Sequence, residues 1–142
     1  MTDHDHYSDD YLRHVLRDTK TIALVGASAK PDRPSYGVME FLLRHGYQVT
    51  PVNPGLAGGH LLGQRVAASL AEVPGPIDMV DVFRAVDAVP GLIDEAIAVG
   101  ARRIWLQLGI RDDASARRAE AAGLEVVMDR CPKIEYPRLF RS

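Results

Sequence analysis

One short stretch holds the densest set of residues able to do chemistry. Gly26-Ala27-Ser28 is followed by Lys30, by Arg33 between Pro31 and Pro34, and by Tyr36. A glycine closing an apolar run lets the chain turn sharply, and the helix that follows presents unpaired backbone N–H groups to an anion. Ser28 stands where a second glycine would allow the closest approach to a pyrophosphate, but its hydroxyl is itself a donor for a phosphate oxygen. The stretch is therefore neither GxGxxG nor GxxxxGK[ST]. Lys30, Arg33 and, later in the chain, Arg84 are cations of the kind that hold phosphate by charge-assisted hydrogen bonds. An NAD site carries an Asp or Glu about 20 residues after its glycines, at the end of the second strand. Here that place reads Pro51-Val52-Asn53-Pro54. Without a carboxylate for the ribose hydroxyl, NAD is disfavoured. A nucleotide with an additional ribose phosphate, as in NADP or coenzyme A, fits better.

Other chemistry-bearing residues are sparse. All five histidines, His4, His6, His14, His45 and His60, precede residue 61. His4 and His6 form an HxH pair, short of the three ligands a metal site usually needs. His45 falls at a helix C-terminus, where a cation suits the dipole, and His60 lies in a glycine-rich loop. No GxSxG or HExxH motif is present. Asp78 and Asp81 are three apart on a predicted strand and fall on opposite faces, while Asp112 and Asp113 suit a helix N-terminus. Cys131 is the sole cysteine, which excludes an intrachain disulfide and a thiolate zinc cluster. Arg130 beside it would favour the thiolate. One reading makes Cys131 a contact for a ligand thiol, able to form a mixed disulfide on oxidation; the other makes it a buried structural residue.

The elements that must position these residues follow from periodicity. Thr21 to Val25, Tyr47 to Val52, Ile77 to Phe83, Arg103 to Leu108 and Leu124 to Met128 read as five strands. Helical spacing predicts helices over Ser8 to Lys20, Tyr36 to His45, Ala88 to Val99 and Asp112 to Ala122, three of them stopping at Gly46, Gly100 and Gly123. Residues 56–73 read as loop with a short helix, and 130–142 as a proline-interrupted segment wrapping the sheet edge. Alternation of this kind predicts an α/β fold, a Rossmann-like doubly wound parallel sheet with helices on both faces and strand order 3-2-1-4-5. Ligands bind in such folds at the carboxyl ends of the strands where the order reverses. With this order the first and fourth strands flank the crevice, whose rim is then Gly26 to Tyr36, Val52 to Pro54, Phe83 to Val86 and Gln107 to Gly109.

VGAS with its Pro- and Arg-containing loop before YG, VNP after the second strand, LLG at residues 61–63 and the terminal MDRCPKIEY resemble the small stand-alone CoA-binding proteins. These are similar to the CoA-binding domain of the succinyl-CoA synthetase alpha subunit. The resemblance spans Leu16 to Tyr136. It implies that the nucleotide diphosphate sits on Gly26, Ala27 and Ser28, with Arg33 the best-placed cation. It further implies that Asn53, Pro54, Phe83, Arg84 and Val86 line the adenosine side, and that the pantetheine arm passes Leu106, Gln107 and Gly109. Synthetase alpha subunits place a phosphorylatable histidine in a second domain, which has no counterpart in this sequence.

Length and charge are consistent with that expectation. The 142 residues, 46% of them hydrophobic, suffice for one domain with a continuous core, expected as a flexible tail over residues 1–7 and a single domain over 8–142. Seventeen basic against nineteen acidic residues give a net charge of −2, so no whole-chain field favours nucleic acid or an anionic membrane. The acidic first twenty residues lack the apolar core of a signal peptide, and no apolar run reaches the ~18 residues of a membrane helix; a cytoplasmic protein is expected. The expected function is non-catalytic binding of coenzyme A or an acyl-CoA through the loop after the first strand, with regulation as one purpose it could serve. The alternatives are an NADP-dependent reductase using the same crevice, or the CoA-binding subunit of an acyl-CoA ligase completed by another chain.

Overall fold

The computed structural model describes residues 2–141. In chain order the elements are α1 (Asp9–Asp18), β1 (Thr21–Val25), α2 (Pro34–Arg44), β2 (Gln48–Val52), a small hairpin of β3 (His60–Leu61) and β4 (Gln64–Arg65), β5 (Met79–Val82), α3 (Val89–Ala98), β6 (Arg103–Leu106), α4 (Asp113–Ala121), β7 (Glu125–Val127) and α5 (Pro132–Leu139). Five strands pair in parallel to make the central sheet. Both faces are covered, so the central strands β5 and β6 are buried along their whole length. On one face, α1, α2 and α5 pack over Ile22, Leu24, Met79 and Trp105. On the other, α3 and α4 pack over Ala23, Val25, Val80, Val82 and Ile104. α1 is fixed at its start by Ser8, whose hydroxyl accepts from Tyr11 N, and buries Leu12, Val15 and Leu16.

The doubly wound parallel sheet is as expected, but the strand order is corrected. The observed order is β2-β1-β5-β6-β7, so the third major strand pairs with β1, Ile22 opposite Met79 through Val25 opposite Val82, and does not lie outside β2. Pro51 supplies the physical reason. It has no N–H to give a neighbouring strand, so β2 suits an edge and not the interior position that order 3-2-1-4-5 requires. The outer side of β2 is instead closed by the returning chain, where Ala67 N donates to Pro51 O (2.9 Å) and Asn53 N to Ala67 O (2.9 Å). The order therefore reverses between β1 and β5, which moves the ligand crevice to the ends of these two strands.

Two connections also differ from expectation. Residues 60–65 form the β3–β4 hairpin, and the short helix after it is a single 3-10 turn, Leu70–Glu72. The terminal segment is not an edge wrap but the helix α5, begun by Pro132 in its first turn and tolerating Pro137 near its end. It is pinned to α1, with Arg13 Nε donating to Leu139 O (3.2 Å) and Arg138 paired with Asp9 (2.8 Å). At the other terminus His4 lies within hydrogen-bond distance of Tyr7 Oη (2.6 Å) and Glu120 Oε1 (3.0 Å).

Candidate functional site

β1 ends on Gly26, whose φ of +87° an L side chain rarely adopts. Space forbids a side chain there as well, because a Cβ would lie 2.5 Å from Phe83 O, on the first residue after β5. The loop and the β5 end are thus pressed together at the point where the strand order reverses. Gly26 N and Ala27 N both donate to Val52 O, at 3.1 and 3.4 Å. These two amides are committed to the β2 end. The loop's available donors are further on. Ser28 Oγ accepts from Lys30 N (3.1 Å), which leaves its own proton to give.

α2 follows with Pro34 at its first position, no side-chain cap on its N-terminus and no acidic residue in its first turn. Pro34 has no N–H and Tyr36 N donates back to Arg33 O (3.1 Å), so the helix dipole and the Ser35 N–H are what the first turn offers to the crevice. Asn53 ties the neighbouring loops together: Nδ2 donates to Ala27 O and Oδ1 accepts from Gly55 N, both at 2.8 Å.

These elements enclose a cavity of about 780 Å³, within the range of pockets that bury a cofactor-sized ligand. Of the residues singled out in the sequence, Gly26, Ala27, Ser28, Lys30, Arg33, Asn53, Phe83, Arg84 and Gln107 line it. The wall contains three cations and no carboxylate. Lys30, Arg33 and Arg84 are all exposed, and none belongs to an ion pair among the described residues.

Six of the singled-out residues fall elsewhere. Pro54 lines an adjoining smaller cavity of about 440 Å³ that shares Gly26, Asn53 and Arg84. Tyr36 is half-buried against the α1–α2–α5 core, and Val86 points to solvent. Leu106 is core, and Gly109 N donates to Asp129 Oδ1 (2.7 Å) at the rim. Cys131 is only 6% exposed, packed in the same core at the head of α5. Trp105 Nε1 donates to Arg130 O (2.8 Å) and holds that segment against the sheet, and Cys131 is not among the residues that line the cavity. Ala29, Pro34, Ser35 and Ala85 in the lining fall within the rim segments expected from the sequence, which missed Gly55, Leu56 and Ile110; Gly55 and Ile110 directly follow rim segments, and Leu56 carried no signal.

Among the described residues, two buried polar side chains remain without hydrogen-bond partners for some of their atoms. Gln107 lines the cavity, yet its Oε1 is buried with no donor, and both carboxyl oxygens of Asp81 are buried and unpartnered. Burial alone pushes the Asp81 carboxyl up to about 8, so it carries its proton at neutral pH. Among the described residues no three His, Cys, Asp or Glu side chains are gathered to hold a metal ion, and no helix is long and apolar enough to cross a membrane.

Comparison with known proteins agrees with this geometry. An uncharacterised Bacillus subtilis protein, YneT, is 35% identical over 125 residues, which are 88% of this chain and 91% of the relative. The alpha subunit of an ADP-forming acetate–CoA ligase from Pyrococcus furiosus is 33% identical over 87 residues, 57% of this chain but only 18% of that subunit. A solved Thermus thermophilus structure superposes with a TM-score of 0.89 at 40% identity, covering 94% of this chain and all of the other. A dinucleotide-forming acetyl-coenzyme A synthetase from Candidatus Korarchaeum cryptofilum superposes with a TM-score of 0.69 at 25% identity, covering 80% of this chain and 27% of that one. A family model described as a CoA binding domain matches residues 20–137, which hold the whole central sheet and every helix but α1 and the end of α5, and the chain belongs to that family.

Proposed function

We propose that this protein binds coenzyme A or an acyl-CoA in the cavity at the ends of β1 and β5, without itself catalysing a reaction, in the cytoplasm. The carrying observation is the wall of three unpaired cations and no carboxylate, set beside an uncapped helix N-terminus, in a chain whose net charge is −2. Coenzyme A brings a diphosphate and a ribose phosphate to such a wall, and the charge-assisted contacts are the strong ones. The residues present fit the group. The glycine that closes β1 leaves no side chain over the loop, Ser28 has a proton to donate, and Gln107 brings an amide to the lining.

Arg33, on the cap position of α2, is the cation we assign to the ribose phosphate. A thermal-shift and calorimetric comparison of CoA, acetyl-CoA, NAD and NADP tests the reading, since a ligand that binds only the native state raises its melting temperature. CoA is expected to stabilise the protein; stabilisation by NADP with no response to CoA would overturn the reading. Arg33→Ala is expected to weaken CoA roughly tenfold and dephospho-CoA less, the difference being one charge-assisted contact. Equal losses would remove Arg33 from phosphate recognition.

The similarity to the ligase alpha subunit favours a second reading, a CoA-binding subunit completed by another chain. Co-purification of a stoichiometric partner that turns over acyl-CoA only with this chain present is its test.

A further inference from the structure

Asp81 and Gln107 are complementary orphans. Side chains alternate along a strand, so Asp81 shares a face with Met79 and Phe83, and Gln107 shares one with Trp105. Asp81 is opposite Trp105 in the pairing of β5 with β6, which puts both residues on the α1–α2–α5 face. Gln107 N donates to Val82 O (3.3 Å), continuing the ladder to the level of Phe83. Strand spacing and rise set the two Cα atoms roughly 8 Å apart, a span that an Asp and a Gln leaning together close. Asp81 thus lies one layer beneath the cavity floor that Gln107 helps to form. One group has a proton with no acceptor and the other an acceptor with no donor.

Other titratable groups on the elements packed over this face are engaged elsewhere or make no hydrogen bond to Asp81. On α1 and β2's approach, Tyr11 donates to Val126 O and Tyr47 to Leu16 O. On β6, Arg103 is held by Asp18 and Glu125. On α5, Glu135 is held by Arg138. Cys131 is buried in the core, while Tyr36 and Glu40 on α2, Lys133 on α5 and the cavity's Lys30, Arg33 and Arg84 make no hydrogen bond to it. The carboxyl's only perturbation is burial.

We propose that Asp81 is a positioning residue for the ligand site: as the neutral acid it donates to Gln107 Oε1, and so fixes the Gln107 amide with its NH2 toward the cavity, selecting a ligand that presents a carbonyl there. Ionised, Asp81 becomes an acceptor, the amide turns over, and the cavity meets an oxygen where it had a donor. Proton and amide orientation are thereby coupled, and no other residue is needed. The inference rests on the CoA reading above, because an acyl-CoA supplies such carbonyls in its pantetheine amides and its thioester.

The experiment measures acetyl-CoA affinity by calorimetry from pH 6 to pH 9 for the wild type and Asp81→Asn, whose amide donates to Gln107 at every pH. Taking the ratio of the two removes the ligand's own titration. Wild type and variant are expected to agree at pH 6, and the wild type to fall about tenfold behind by pH 9, the worth of one hydrogen bond made or opposed. Gln107→Leu is expected to lose about tenfold at pH 6 and to abolish the pH-dependent difference. A wild-type to Asp81→Asn ratio that is constant with pH overturns the proposal and leaves CoA binding standing. If the folded protein binds no acetyl-CoA at any pH, the CoA reading fails. Asp81 is then judged by infrared difference spectra of wild type against Asp81→Asn without ligand: a protonated-carboxyl band at pH 7 that fades by pH 9 supports the acid, and its absence overturns it.

Discussion

Replacing Gly26 by alanine isolates the contact that joins the loop to the end of β5. Two costs are separable. The residue sits at φ +87°, where an L side chain is disfavoured by about 1–2 kcal/mol, partly offset by about 0.4–1 kcal/mol from a stiffer unfolded chain. The second cost is steric. A Cβ would lie 2.5 Å from Phe83 O and 2.9 Å from Phe83 C, both backbone atoms. Phe83 cannot step aside cheaply, because its N–H donates to Val25 O at 2.8 Å in the β1–β5 ladder. Forcing atoms into packed structure typically costs about 1–3 kcal/mol, so the sum is on the order of 3 kcal/mol, a fall of about 10 °C in Tm for a chain of this size. Gly46 supplies the control. Its φ is +89°, but nothing lies within 4 Å of its Cβ position, so Gly46→Ala carries the conformational cost alone, about 1 kcal/mol. Urea unfolding of both variants reads the difference, expected at about 2 kcal/mol. Equal destabilisation would mean that close approach to β5 does not constrain Gly26, and the account of the crevice as a tight junction of β1 and β5 would fail.

Further outcomes follow from the same geometry. The Asp81 carboxyl, raised from 3.8 to about 8 by burial, keeps a proton that the unfolded chain releases, so its contribution to stability is complete below about pH 4 and is lost as pH climbs toward 8. Urea unfolding should show Asp81→Asn gaining on the wild type by about 1.4 kcal/mol per pH unit, on the order of 4 kcal/mol between pH 5 and pH 8; a gap that does not change with pH refutes the buried neutral acid. Asn53→Ala removes donor and acceptor at once, and should cost about 1–2 kcal/mol by denaturation while weakening CoA severalfold as the glycine loop loosens. An unchanged affinity would show that the Asn53 bridge to Ala27 O has no bearing on the site.

Much of this was legible because the signals are local. The apolar runs at 21–25 and 103–106 declare buried parallel strands, and the spacing of Leu12, Val15 and Leu16 declares the buried stripe of α1. Strand order turns on one residue: Pro51 reads as strand-terminal, yet its missing donor also makes β2 an edge, which places the third major strand beside β1. Cys131 shows the opposite limit. Asp129-Arg130-Cys131-Pro132 marks a turn after the last strand, but whether the thiol faces ligand or core depends on where α5 docks, and that is set in part by contacts with α1 more than 100 residues earlier. The absence of a hydrogen-bond partner at Asp81 is likewise invisible in sequence, because alternation along the strand assigns the aspartate a face without saying which polar groups stand opposite it there.

The charge pattern around the cavity carries the strongest argument, since it runs against the chain as a whole. Many cations here are neutralised within the fold: Arg103 by Asp18 and Glu125, Arg111 by Asp5 and Asp113, Arg118 by Asp94, Arg138 by Asp9 and Glu135. Acidic residues slightly outnumber basic ones, so partners for Lys30, Arg33 and Arg84 are not scarce; yet no carboxylate lines this cavity, and Glu95, which shares the adjoining smaller cavity with Arg84, forms no ion pair with it among the described residues. A carboxylate there would satisfy the cations but would have to be displaced by an incoming phosphate, with loss of affinity. An unpaired set keeps its full attraction for the ligand, at the cost of mutual repulsion that the ligand relieves. It follows that adding an acid to the wall, as in Ala85→Glu, should weaken CoA while sparing or improving the stability of the ligand-free protein, and a variant that lost both together would show that the cations are not reserved for an anion.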